Sequence, residues 1–220
     1  MGAIYLVRHG QAPAHAYGVG VPDPLAPGLT ELGERQAHRT GRALTAQVRT
    51  FDAAISGDLP RQRATLHGVL SMFDSRPEVV VDPAWSEYAL PPALSAVPSE
   101  FYADRARYQD ELDQGLDRWI AGADEGTDET YAAFADRTRD AARRAAELAG
   151  TGRSVLVVSS AGTITQLIAQ LWNVPDARWP TLSRTFVNAS VTKLIAGGRG
   201  LTVVSVNEHA HLAGDLMTYR

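Results

Sequence analysis

Four short apolar runs, residues 4–7, 53–56, 79–81 and 154–158, are each bounded by polar or turn-forming residues. Each is too short for a stable helix, so they are read as strands of a buried sheet. Between them apolar positions recur every three or four residues, the period of a helix with one buried face. Thr30 caps the first such helix, which runs to about residue 48 with Leu32, Ala37, Leu44 and Val48 on its apolar side. Pro60 suits the first turn of a second helix, running to about residue 72. Residues 99–121 form a third, with Phe101, Tyr108, Leu112, Leu116 and Trp119 as its stripe. A fourth, capped by Thr127 or Asp128, runs to about residue 149 and is stopped by Gly150 and Gly152. A fifth follows the 154–158 strand as far as Leu171. Two more strands, 187–195 and 201–206, flank Gly197-Gly198-Arg199-Gly200, most simply as a hairpin. Two stretches fit neither period. Prolines at 13, 22, 24 and 27 and glycines at 18, 20 and 28 break residues 11–29, and Pro83, Pro91, Pro92 and Pro98 break residues 82–98. Both are read as long loops, and long loops in compact domains often carry function. The tail, 207–220, is polar and shows no period.

Strands alternating with helices predict an α/β fold, a three-layer α/β/α arrangement around a mostly parallel sheet. The helices between 99 and 149 fall between the third and fourth strands and are read as an insertion within one domain spanning 1–220. The 201–206 strand is placed where it can lie at a sheet edge and pair across a dimer.

Composition removes whole classes of function. The chain has no cysteine, which excludes disulfides, thiolate metal sites and a cysteine nucleophile. Its 21 basic and 25 acidic residues give a net charge of −4, which argues against a general nucleic-acid binder. No basic segment followed by an apolar run opens the chain, and no run approaches the roughly 18 apolar residues that span a bilayer. A cytoplasmic protein with no membrane partner is the expectation.

In open α/β sheets ligands bind at the carboxyl ends of the strands. The first strand delivers Arg8-His9-Gly10 there, and the fourth delivers Ser159-Ser160-Ala161-Gly162 at the start of a helix. Unbonded N–H groups at a helix start favour an anion, most simply phosphate. Arg8 adds permanent charge in a planar fork suited to phosphate oxygens. His9 is the strand-end residue able to be neutral and nucleophilic near pH 7. Gly10 allows the backbone to approach a bound group.

The surrounding residues carry a resemblance. Leu6-Val7-Arg8-His9-Gly10-Gln11 resembles the signature of the histidine phosphatase superfamily, the phosphoglycerate-mutase-like proteins. Segments 28–37, 56–65, Trp85-Ser86-Glu87 and 155–164 resemble further motifs of that family in the same order, and Asn207-Glu208-His209-Ala210-His211-Leu212 is similar to a C-terminal pattern of many bacterial members. The resemblance implies a phosphomonoester hydrolase that acts through a phosphohistidine on His9. It implies that Arg8 and Arg61 hold the phosphate oxygens, and that Glu87 is the general acid and then the base. It implies no cofactor and no metal, the arginines supplying the neutralising charge, with a small phosphorylated molecule as partner. His15 falls where many members carry a phosphate-touching asparagine, so it joins the candidate substrate-binding residues with Ser160 and the Gly162 N–H. His209 and His211 are further candidates for lining the site, and Arg63 is read as a surface residue.

One position departs from the family pattern. Members usually carry a second histidine where this chain has Ser160, and Ala161 stands where they carry glycine. Serine is a shorter, neutral donor, and loss of one well-placed donor to a transition state typically costs about 3–4 kcal/mol. Three readings follow. The first is a phosphatase whose native residue is Ser160. The second is a catalytically impaired protein that binds phosphoryl ligands on the same fold. The third is a phosphoglycerate mutase, whose loop patterns are not found at 11–29 or 82–98.

Overall fold

The computed structural model describes residues 1–19, 28–95, 97–123 and 128–219. The middle of the 11–29 loop and the proposed cap at Thr127 lie outside these residues. The apolar runs form β1 (Gly2–Arg8), β2 (Ala53–Ser56), β3 (Val79–Val81) and β4 (Ser154–Ser159), and the hairpin is β5 (Val191–Gly197) with β6 (Gly200–Glu208). They make one sheet in the order β3-β2-β4-β1-β5-β6. β1, β2, β3 and β4 run parallel, while β5 and β6 pair antiparallel. As expected, β6 lies at one edge; β3 lies at the other, with its three valines exposed.

The period-two pattern sorts side chains to opposite faces. Ile4, Leu6, Val155 and Val157 face α5 (Tyr131–Leu148) and α6 (Ala161–Leu171). Tyr5, Val7, Leu156 and Val158 face α1 (Glu31–Thr45) and α2 (Pro60–Leu70). Helices thus cover both faces, and a sheet covered in this way is built from unbroken apolar runs.

Thr30 caps α1 as expected, its hydroxyl accepting from the Gly33 N–H at 3.0 Å. The helix read over 99–121 is two helices, α3 (Ser99–Ala103) and α4 (Arg105–Ile120). Asp104 leaves the helical conformation at ψ 86° and caps α4 through Arg107 N–H, so a local side-chain bond overrides the continuing stripe. The cap of α5 is Thr130 rather than Asp128; its hydroxyl accepts from Ala133 N–H at 3.1 Å. A short α7 (Trp179–Ser183), unread in the sequence, follows α6. β5 begins at Val191 rather than 187, because Ala189 turns the chain with φ 59°.

α4, α5 and α7 meet over α6 in an aromatic cluster of Tyr88, Trp119, Tyr131, Phe134 and Trp179, with ring centroids 5.3–6.4 Å apart. The two long loops meet as well. Val97 N–H donates to Gly18 O at 2.8 Å, and Val19, Leu90, Leu94, Val97 and Tyr108 pack together. These elements stand over the carboxyl ends of β1 and β4.

Candidate active site

Register fixes the floor of the site. Arg8 pairs with Ser159 across the β1–β4 ladder, and His9 N–H donates to Ser159 O at 2.9 Å. The two strands therefore end side by side, with His9 and Ser160 as the first residues beyond them. Gly10 is needed here for a different approach from the one expected. A Cβ on it would come 2.6 Å from Gly33 O, so the close neighbour is the first turn of α1.

The His9 ring is buried and its protonation pattern is readable from its partners. Nδ1 lies 2.7 Å from Gly10 O, an acceptor, so Nδ1 carries the proton. Nε2 accepts from Arg61 Nε–H at 3.1 Å, so its lone pair points to the guanidinium. Burial, then the nearby Arg61 and Arg8 charges, hold the imidazole well below its ordinary pKa of 6.5. His9 is held as a neutral imidazole whose Nε2 is unprotonated. Arg8 is held by backbone carbonyls, one guanidinium nitrogen donating to Phe186 O and another to Tyr219 O at 2.8 Å. Both acceptors come from far along the chain and carry no side-chain signature, so sequence reading missed them.

Glu87 sits at the N-terminus of α6. Its Oε2 accepts from Gly162 N–H at 3.0 Å, and its Oε1 accepts from Thr163 N–H at 3.1 Å and Tyr88 N–H at 3.3 Å. Glycine is required at 162, because a Cβ there would come 2.5 Å from Glu87 Oε1 and from the Tyr88 ring. Burial raises the carboxyl above its ordinary 4.5, opposed by the Gly162 amide, Arg61, the Tyr88 amide and Arg137. The Gly162 N–H, expected to meet a phosphate, is given to Glu87 here.

Arg8, His9, Arg61, Glu87 and Gly162 line one cavity of about 640 Å³. Its outer walls come from residues that sequence reading left in other roles. Tyr17 belongs to the first loop, Tyr88 and Leu90 to the second, and Tyr108, Leu112 and Leu116 to the α4 stripe. Arg105, Gln109 and an Asp113–Arg184 ion pair of 2.6 Å complete the polar part. The helical stripe was the available signal: three of its five residues turn one side to this space.

The remaining candidates lie elsewhere. His15 and Ser160 do not line the cavity. Ser160 is fully buried, and its hydroxyl accepts from Gln62 Nε2 at 2.9 Å. The same Gln62 nitrogen donates to Trp85 O at 3.1 Å, and its Oε1 accepts from Leu59 N–H at 3.2 Å. His211 Nε2 bonds the Thr40 hydroxyl at 2.9 Å beside α1, and His209 Nδ1 bonds Asn207 O at 2.5 Å; neither lines the cavity. Arg63 pairs with Asp58 at the surface.

The Ser160–Gln62 bond makes a prediction. An imidazole at 160 must displace Gln62 from Trp85 and Leu59. Ser160→His is expected to lose about 1–3 kcal/mol of stability, the usual cost of overpacking, with no gain in turnover. Chemical denaturation and steady-state rates check this; a variant of native stability and higher kcat overturns it.

The model of the histidine phosphatase superfamily (branch 1) matches residues 4–209, and the chain belongs to that family. No curated protein matches the chain. Among solved structures, mycobacterial hydrolase 2 is 26% identical with a TM-score of 0.69, over 98% of this chain and 94% of that one. A phosphoserine phosphatase mutant from Entamoeba histolytica, complexed with phosphoserine, is 17% identical with a TM-score of 0.71, over 97% of this chain and 100% of that one. A mycobacterial glucosyl-3-phosphoglycerate phosphatase complexed with VO3 is 23% identical with a TM-score of 0.69, over 94% of this chain and 100% of that one. At such identities the last two share the fold. No helix among the described residues is long and apolar enough to cross a membrane.

Proposed function

We propose that the chain is a phosphomonoester hydrolase that works through a phosphohistidine on His9 and needs no metal. One observation carries this reading. A buried, neutral imidazole presents an unprotonated Nε2 to Arg61 within a cavity that also holds Glu87. Family membership and phosphatases of the same fold support it.

The residues divide the work as follows. Arg61 exchanges its bond to His9 Nε2 for one to a phosphate oxygen when substrate enters. That frees the lone pair for in-line attack on phosphorus. Arg8 and Arg61 neutralise the equatorial oxygens, where charge gathers. The bond from phosphorus to the ester oxygen breaks, and protonated Glu87 gives its proton to the leaving alkoxide. Oε1 already accepts two amide bonds against one at Oε2, so Oε2 is the oxygen to carry that proton. In the second half, Glu87 as carboxylate takes a proton from water, whose oxygen attacks phosphorus and releases His9 Nε2. The cavity exceeds a phosphate many times over, so the reading favours an ester with a bulky, partly apolar organic group.

Two pKa shifts fix the sign of the pH dependence. Nucleophilic His9 must be neutral, so the acid limb of kcat/KM falls well below 6.5. Glu87 must be protonated, so the alkaline limb begins above 4.5 and falls about tenfold per pH unit. Rates on a panel of phosphomonoesters across pH, with EDTA and without a bisphosphate primer, test the reading. Activity that requires added metal, or that rises through the alkaline range, refutes it; dependence on the primer points to a mutase. Ser160, turned to Gln62, supports the second reading of a phosphoryl-ligand-binding protein. Tight phosphate binding without turnover on any ester favours that reading.

A further inference from the structure

Glu87 belongs to a segment with little regular structure, yet its backbone is tied down carbonyl by carbonyl. We infer that Arg137, on the inserted helix α5, is a positioning residue that sets the Glu87 carboxyl for proton transfer; this rests on the hydrolase reading above. All five guanidinium N–H groups have acceptors. Nη1 donates to Ala84 O at 3.0 Å and Ser86 O at 2.8 Å, and Nη2 donates to Glu87 O at 3.5 Å. Nε and Nη2 hold the Glu129 carboxylate as a bidentate pair, at 2.5 and 2.9 Å. The cation also lies over the Phe134 ring, 4.8 Å from its centroid. Other elements complete the set: Thr163 Oγ1 donates to Ser86 O at 2.9 Å, and Ser159 Oγ and Gln62 Nε2 both donate to Trp85 O. Arg137 does not line the cavity, so it acts only through Glu87.

Arginine is required for this task. A lysine offers three donors around a point, whereas the planar fork serves a carboxylate on one edge and three carbonyls on the other. The charge acts separately from the fork. The charges that act on Glu87 are Arg61 from α2 and Arg137 from α5, with the α6 amides beneath; Arg8 and His9 at the end of β1, Arg105 and Asp113 of α4 and Arg184 after α7 share its cavity. Arg137 holds the Glu87 pKa down; its removal lets burial raise it further.

Two variants separate fork from charge. Arg137→Lys is expected to lower kcat about 10-fold on an alkyl phosphate, with KM and the alkaline limb unchanged. Arg137→Gln is expected to lower kcat on the same ester and move the alkaline limb to higher pH. On p-nitrophenyl phosphate, whose leaving group needs little protonation, both losses shrink. A merely structural role lowers thermal stability alone and moves neither the limb nor the leaving-group dependence. Wild-type kcat in Arg137→Lys, or an unmoved limb in a folded Arg137→Gln, overturns the inference. Carboxyl 13C NMR titration of Glu87 in the wild type and in both variants needs no turnover. An inert wild type therefore sinks the hydrolase reading, while the positioning role stands or falls on whether Glu87 shifts in Arg137→Gln alone. If Arg137→Gln does not fold, Glu129→Gln, which removes the carboxylate that orients the fork, is expected to lower kcat on the alkyl ester; wild-type kcat there also overturns it.

Discussion

Replacing His9 with alanine is expected to cut phosphomonoester hydrolysis by about 10,000-fold or more, because the covalent route disappears with the nucleophile. Among the described residues that line the cavity, the imidazole is the one unprotonated nitrogen base, and its Nε2 is released when Arg61 turns to a phosphate oxygen. Arg61 and Arg8 are cations, and the Glu87 oxygens are engaged by α6. The fold should survive, since the ring makes two polar bonds and no core cluster depends on it. Binding of inorganic phosphate should survive too, through Arg8 and Arg61. A rapid alkaline quench with labelled substrate gives the second readout: label on wild-type protein and none on His9→Ala. Hydrolysis by the variant at more than a hundredth of the wild-type rate would remove His9 from the chemistry.

The second large effect concerns Glu87→Gln. The amide keeps the shape of the carboxyl but neither gives up nor accepts the reacting proton, so kcat is expected to fall by about 100- to 10,000-fold on alkyl phosphates. With p-nitrophenol as leaving group the first half-reaction needs little acid. Water activation then limits the rate, and phosphoenzyme should accumulate as a burst. The alkaline limb assigned to the Glu87 proton should vanish. The variant is also informative about stability: an amide has one acceptor oxygen where the carboxyl meets amides on both, so one α6 N–H loses its partner, worth about 1–3 kcal/mol if left buried. An unchanged limb in Glu87→Gln assigns the acid to another group.

The placement of the floor residues is legible in the sequence for a physical reason. An unbroken apolar run that stops at Arg8-His9, and another that stops at Ser159-Ser160, declare both a parallel strand and the end at which ligands bind. Arg61 and Glu87 were reached only through the family resemblance, since neither a helix-start arginine nor a loop glutamate is distinctive alone. The cavity walls were hidden. Tyr108, Leu112 and Leu116 obey the same helical period whether they face a core or a pocket. The carbonyls of Phe186 and Tyr219 that hold Arg8 have no sequence signature, since every residue carries one. Ser160 was read as a neutral stand-in for a catalytic donor; side-chain competition with Gln62, a contact 98 residues distant in sequence, could not be seen without the fold.

The way the cavity is divided bears on how such proteins diversify. Arg8 and His9 sit at the end of β1, Arg61 at the start of α2 and Glu87 in the second loop against the start of α6, while α4, α7 and the two loops supply the outer walls of the cavity. Exchange of the cavity-facing residues of α4 would leave His9, Arg61 and Glu87 with the hydrogen bonds described above, whereas Trp119 of the same helix packs on Tyr88 and donates to Glu129 O at 2.7 Å. Exchange of α5 would not be neutral in this way, because Arg137 reaches from it to the Glu87 backbone. Grafting experiments between relatives therefore have room on the cavity-facing side of α4, while Trp119 and α5 have to travel with the Glu87 segment.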